Sequence, residues 1–209
     1  MTTEHPQTDT AAQQPSRPDM ASTTLGRFGQ VSNDDKRLIA YAECTAVSTS
    51  LGVALAASGS LGPDLVAMLS SVQNDLFDLT AGMLEGDEAT ADTEQPHVTE
   101  EHIERLERAI EHYSRELEPM DGHVLPGGTM SAALLYQTQV TVGRAQRAAQ
   151  GALAEHPDLL TDRPVRYLDR LSSLLIILAR AANADLGDTM WRPMVSVRPP
   201  KPADGANQE

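Results

Sequence analysis

The residues best placed to do chemistry stand in one segment, residues 123–147, HVLPGGTMSAALLYQTQVTVGRAQR. His123 and Val124 lead into a Pro-Gly-Gly turn at Pro126, Gly127 and Gly128, and the run that follows has no Gly or Pro as far as Val142. Such a run predicts a helix capped by Thr129 or Ser131, since either hydroxyl can accept from first-turn N–H groups that lack helical partners. The same N–H groups can hold an anion beside a glycine turn, and Arg144 and Arg147 could meet one further along. Without further context, a helix cap and intersubunit salt bridges are the simpler reading.

Other reactive side chains carry weaker signals. His102 and His112 stand ten apart on a predicted helix, too far around it to share a metal. Glu100, Glu101, Glu104, Glu107 and Glu111 read as a solvated face rather than a metal cage. Cys44 is the single cysteine, which excludes an intrachain disulfide and a thiolate cluster. Phe77 is one of two phenylalanines and is expected in the core, with a cofactor-facing role as the alternative. Met68, Met83, Met120 and Met130 are expected to fill core or interface. No Ser-His-Asp spacing or Walker-type glycine loop occurs, so generic hydrolase and NTPase readings lack support.

Five segments have the spacing that would position these residues on helices. The first covers residues 34–57, with Leu38, Tyr41, Ala42 and Val53 on its inner side. The second, residues 61–84, carries Leu65, Met68, Leu69, Val72, Leu76, Leu79 and Met83 at helical steps. An acidic surface loop, residues 86–96, precedes a third helix starting at Thr99, with Glu101 and Glu104 favourable near its positive end and Ile103, Leu106, Ile110 and Tyr113 as its stripe. The helix after the glycine turn is the fourth, and residues 164–184 form the fifth, lined by Leu168, Leu171, Leu175, Leu178 and Ala182. The fold class is therefore all-α, a five-helix bundle.

Composition agrees. At 209 residues with 40% apolar and only 3% aromatic content, the chain can build one well-buried domain and favours packed helices over sheet. Sixteen Lys plus Arg against 30 Asp plus Glu give a formal net charge of −14, which repels nucleic acid and anionic membrane at long range. The greasiest stretch, around residues 174–178, is too short and too charged to span a bilayer, and no hydrophobic leader stands near Met1. A cytoplasmic location is expected, with neither nucleic acid nor membrane as a partner. Residues 1–25 and 194–209 read as mobile tails around a domain covering residues 26–193.

Six blocks in order now point to a family: VSNDDKRLIAYAE at residues 31–43, SVQNDLFDL at 71–79, LERAIEHY at 106–113, HVLPGG at 123–128, RAQR at 144–147 and YLDRLSSLL at 167–175. Together with Trp191 they resemble the PduO-type corrinoid adenosyltransferases over roughly residues 24–193. The resemblance implies a homotrimer of five-helix bundles that binds ATP and cob(I)alamin in clefts between subunits and transfers the adenosyl group to cobalt.

Departures from the family pattern shape the functional expectation. Of the Gly- and Thr-rich strip that wraps the triphosphate in the family (YTRTGDxGxT), only Ser22, Thr23 and Thr24 remain, and Asn33 replaces the lysine of VxKDD, removing a point charge for phosphate. The family's DELNS becomes Thr45, Ala46, Val47, Ser48 and Thr49, and its HxARxxxRRAER becomes Tyr136, Gln139, Gly143, Arg144, Gln146 and Arg147. YLNRLSD becomes residues 167–173, with Asp169 and Ser173 changed. An aspartate and an arginine that pair between subunits in the family are both neutral here, as Thr45 and Gln139. Neutralising both sides of such a pair can be nearly free, whereas losing one costs about 3–5 kcal/mol.

His123 stands where the family has an aromatic residue, commonly Phe, that keeps the lower face of cobalt unligated. Imidazole is a common transition-metal ligand, so at this aligned position His123 is the candidate metal ligand. The cofactor-binding set implied by the resemblance is His123, Val124, Gly127, Gly128 and Phe77 with Tyr136, Arg144 and Arg147. The expectation is a protein that binds cobalamin, or a related tetrapyrrole, in a holding or sensing role, without binding ATP or acting as an adenosyltransferase. An active ATP:cob(I)alamin adenosyltransferase and a cofactor-free structural or regulatory trimer are the alternatives.

Overall fold

The structure, a computed structural model, describes residues 22–25, 28–57, 61–86, 96–120 and 122–197. Residues 1–21 and 198–209, most of both expected tails, lie outside the described residues, as does most of the acidic loop. Strand β1 (Ser22–Thr24) pairs antiparallel with β2 (Gln30–Ser32), Ser22 opposite Ser32, and Leu25 beside them is buried. The expected boundary at residue 26 thus falls inside a hairpin.

Helix α1 (Lys36–Ala57) begins on Asp35, whose carbonyl accepts from the N–H groups of Leu38 and Ile39 and whose carboxylate accepts from that of Arg37 at 2.9 Å. The Arg37 guanidinium folds back onto the same carboxylate at 3.0 and 2.7 Å and covers the Phe28 ring, 4.5 Å from its centroid. This pairing holds the Asp35 carboxyl below the ordinary carboxylate range. A carboxyl lowered on folding adds stability above its unfolded value and loses it as pH falls through the folded one. The melting-temperature gap between wild type and Asp35→Asn is therefore expected to be constant at neutral pH and to shrink below about pH 4. A gap that persists unchanged through the acid limb would contradict the pairing.

The buried stripe of α1 is Ala40, Cys44, Val47, Leu51 and Ala54. This corrects the expected face: Tyr41 and Val53 are 40% and 52% exposed, and Leu38 is only half-buried. The helix is apolar on most sides, with mean hydropathy 1.4 over its best window, so periodicity could not choose between faces. It, rather than residues 174–178, is the stretch long and apolar enough by composition to cross a membrane. Burial in the stripe pushes the Cys44 thiol up to about 12, so this cysteine is an inert core group.

Helix α2 (Pro63–Glu85) opens with proline at its first turn and buries Leu69, Val72, Leu76, Leu79 and Met83. In α3 (Glu100–Ser114) the Thr99 backbone N–H donates to His102 Nδ1 at 3.2 Å, the role a glutamate usually takes in a capping box. Helices α4 (Met130–Glu155) and α5 (Arg163–Ala181) follow, and α4 continues unbroken through Gly143 and Gly151. The centre of the bundle is α4, packed on α1 and α5, with α2 against α1 and α3 against α5.

One polar network crosses this core. Asp75 of α2, 6% exposed, accepts a 2.6 Å bond from the Tyr167 hydroxyl of α5 and pairs with Arg105 of α3, which also reaches Ser71. His102 Nε2 lies 3.9 Å from Asp75 and 3.8 Å from Asp78. Burial and the Asp75 charge raise the Tyr167 phenol well above its ordinary value, so it stays a neutral donor.

Candidate functional site

The His123 segment is an extended loop pinned to a second extended segment. The Trp191 N–H donates to the His123 carbonyl at 2.7 Å, the Leu125 N–H donates to the Thr189 carbonyl at 2.8 Å, and Val124 bridges Met190 in antiparallel fashion. Gly127 and Gly128 turn the chain at φ values of 154° and 96°, a region that favours glycine. Thr129 then caps α4, its hydroxyl accepting from the Ala132 N–H at 3.2 Å and donating to the Ala182 carbonyl at 3.1 Å. Of the two expected caps Thr129 serves, while Ser131 is buried.

His123 itself is exposed. Its ring meets the Trp191 ring edge to face with centroids 6.0 Å apart, and among the described residues no hydrogen bond or ion pair ties the imidazole. Leu125, Met190 and Trp191, with Trp191 52% exposed, line a groove at this end of the bundle together with the polar Asp188, Thr189 and Arg192.

The other expected site residues are dispersed. Tyr136 is buried, two turns into α4, and its hydroxyl has no hydrogen-bond partner among the described residues; burial and then the Asp188 charge raise its phenol above the ordinary value. Arg144 and Arg147 are exposed on α4, and Arg144 pairs with Glu43 of α1 at 3.1 Å. They lie about 22–27 Å along the helix from the glycine turn, so one chain does not bring them to His123. Phe77 is 70% exposed, which corrects the core expectation; it borders a groove between α1 and α2 with Tyr41, Thr45, Ser48, Thr49 and Thr80. Met120 and Met130, 53% and 67% exposed, are likewise outside the core, whereas Met83 is in it.

The substituted positions are satisfied within the chain. Thr45 and Thr49 donate to the carbonyls of Tyr41 and Thr45 in their own helix, both at 2.9 Å. Gln139 donates to the Ser172 hydroxyl at 2.9 Å and Gln146 to the Asp169 carboxylate at 3.2 Å, so both amides tie α4 to α5.

Sequence reasoning missed two features. Asn183, which follows the last turn of α5 and is 3% exposed, bonds to the glycine turn; an Asn just past a helical run is a recognised stop signal. A second cluster joins Asp35, Glu155 and His156, with ligating atoms within 4.8 Å of one another. It sits at the C-terminal end of α4, about 39 Å of helix away from the glycine turn. Both Asp35 oxygens already accept from Arg37, and His156 Nε2 lies 3.5 Å from both Asp35 and Glu155, which places the end of α4 against the start of α1.

With the geometry in hand, comparison with known proteins is direct. A family model described as cobalamin adenosyltransferase matches residues 16–182. A corrinoid adenosyltransferase of Mycobacterium leprae is 38% identical over 178 residues, covering 84% of this chain and 92% of the relative. One from Bacillus subtilis is 32% identical over 162 residues, covering 76% and 80%. In fold, the chain resembles a phenylalanine-to-histidine variant of a PduO-type ATP:corrinoid adenosyltransferase from Lactobacillus reuteri complexed with cobalamin and ATP. The TM-score is 0.75 at 23% identity, over 84% of this chain and 94% of that one. The helix order and the length of these matches agree with the six sequence blocks, and the chain belongs to the cobalamin adenosyltransferase family.

Proposed function

We propose that the protein binds a corrinoid on the His123 loop and holds it there, with the imidazole as axial ligand, without ATP-dependent adenosylation. The observation that carries this reading is the exposed, untied His123 ring on a loop whose backbone is fixed from both sides. A nitrogen ligand favours oxidised cobalt and so opposes the reduction that adenosyl transfer requires. Asn33, which offers no charge to phosphate where the family pattern has lysine, supports the absence of a triphosphate site. Uncovered Ile39, Tyr41 and Val53 of α1 and Val140 of α4, 37% to 62% exposed, support assembly with further copies into a homotrimer. The net charge of −14 supports a cytoplasmic setting without nucleic acid or membrane partners.

A second reading, an active ATP:cob(I)alamin adenosyltransferase, is favoured by the corrinoid adenosyltransferases among its relatives and by the exposed Arg147, beside which Arg144 is paired with Glu43. Ultraviolet–visible titration with hydroxocobalamin and adenosylcobalamin, with and without ATP, separates the two. A spectral shift indifferent to ATP is expected. ATP-dependent conversion under reducing conditions would establish the enzyme instead, and no change with either corrinoid would leave a cofactor-free assembly.

A further inference from the structure

We propose that Asn183 is the positioning residue of the His123 loop, fixing the imidazole for its ligand from behind. The inference rests on the reading of His123 as the ligand-bearing residue and adds what holds it in place.

One carboxamide serves the peptide groups on both sides of Gly128. Asn183 Oδ1 accepts from the Thr129 N–H at 2.9 Å, and its Nδ2 donates to the Gly127 carbonyl at 2.9 Å. Only an amide offers a donor and an acceptor together in this way; a carboxylate would lose the donor and set its charge against a carbonyl oxygen. The fit is close from the other side as well, because a β-carbon at Gly128 would overlap the Asn183 amide.

The backbone of the same residue sets the opposite wall. The Asn183 carbonyl accepts from the N–H groups of Leu186 and Gly187 at 2.9 and 2.8 Å, forming the turn that sends the chain back towards Thr189 and Trp191. Those residues then pin Leu125 and His123. Asn183 therefore organises both strands that frame the imidazole while touching neither the ring nor any ligand. It stands beyond the last buried leucine of α5, Leu178, so its replacement removes no apolar core.

Trp191, the only tryptophan in the chain, gives a ligand-free readout, since its N–H is tied to the His123 carbonyl and its ring meets the imidazole. Asn183→Asp and Gly128→Ala, which break the clamp from opposite sides, should each lower the anisotropy of its fluorescence as the frame loosens. Their hydroxocobalamin dissociation constants should rise about 10–100-fold, as on loss of an outer-shell partner of a metal ligand. Circular dichroism and thermal melting are run alongside. If Asn183→Asp fails to fold, Gly128→Ala decides.

Wild-type Trp191 anisotropy with wild-type affinity in a folded variant would overturn the assignment. If the wild type binds no hydroxocobalamin, the functional reading fails, while the fluorescence arm still decides whether Asn183 fixes the loop.

Discussion

Exchange of His123 for phenylalanine is expected to abolish the visible-spectrum change of hydroxocobalamin on binding while leaving the protein folded. The two rings have similar shape, so Phe keeps the edge contact with Trp191. The His123 carbonyl, which accepts from Trp191, belongs to the backbone and survives the exchange. What is removed is the nitrogen alone, so loss of the shift at an unchanged melting temperature would assign that nitrogen to cobalt. His123→Ala serves as the control that removes ring and nitrogen together. An identical shift in wild type and His123→Phe would end the ligand claim and return attention to ATP-dependent chemistry.

The largest stability effect is expected from Asp75→Ala. The substitution strands the fully buried Tyr167 hydroxyl and the Arg105 guanidinium in one step. Removing one partner of a buried pair costs about 3–5 kcal/mol, and the 28% exposure of the Arg105 side chain favours the lower end. For a chain of this length the melting temperature should fall by roughly 10 °C. Asp75→Asn keeps an acceptor for Tyr167 and should lose clearly less. Equal melting temperatures for Asp75→Ala and wild type would show that the three helices are held by apolar packing alone.

The extent to which this architecture can be read from residues differs from helix to helix. In α5 the polar and apolar sides are distinct, and the expected Leu168, Leu171, Leu175 and Leu178 are the buried ones. In α1 most of the buried residues are small, Ala40, Cys44, Val47 and Ala54 beside Leu51, while Tyr41 and Val53 lie outside. A reading that equates size with burial selects the wrong face whenever helices approach closely through small residues. Phe77 fails for the same reason: its hydrophobicity identifies it as needing a partner, and only the structure shows that none of its own helices covers it. For the site, the glycine turn and its Thr129 cap are local and legible, being dictated by φ and by first-turn N–H groups. The frame around them is not, because Asn183 and Trp191 reach the loop from far along the chain.

That separation orders events during synthesis. Thr129 and the amide that fixes it are 54 residues apart in sequence, and a chain made from its N-terminus acquires α1 to α4 before Asn183 exists. Until α5 has been added and the following turn has closed, the histidine sits on an unframed loop. A ribosome-bound chain can thus bury much of its helical core and still present no finished cradle.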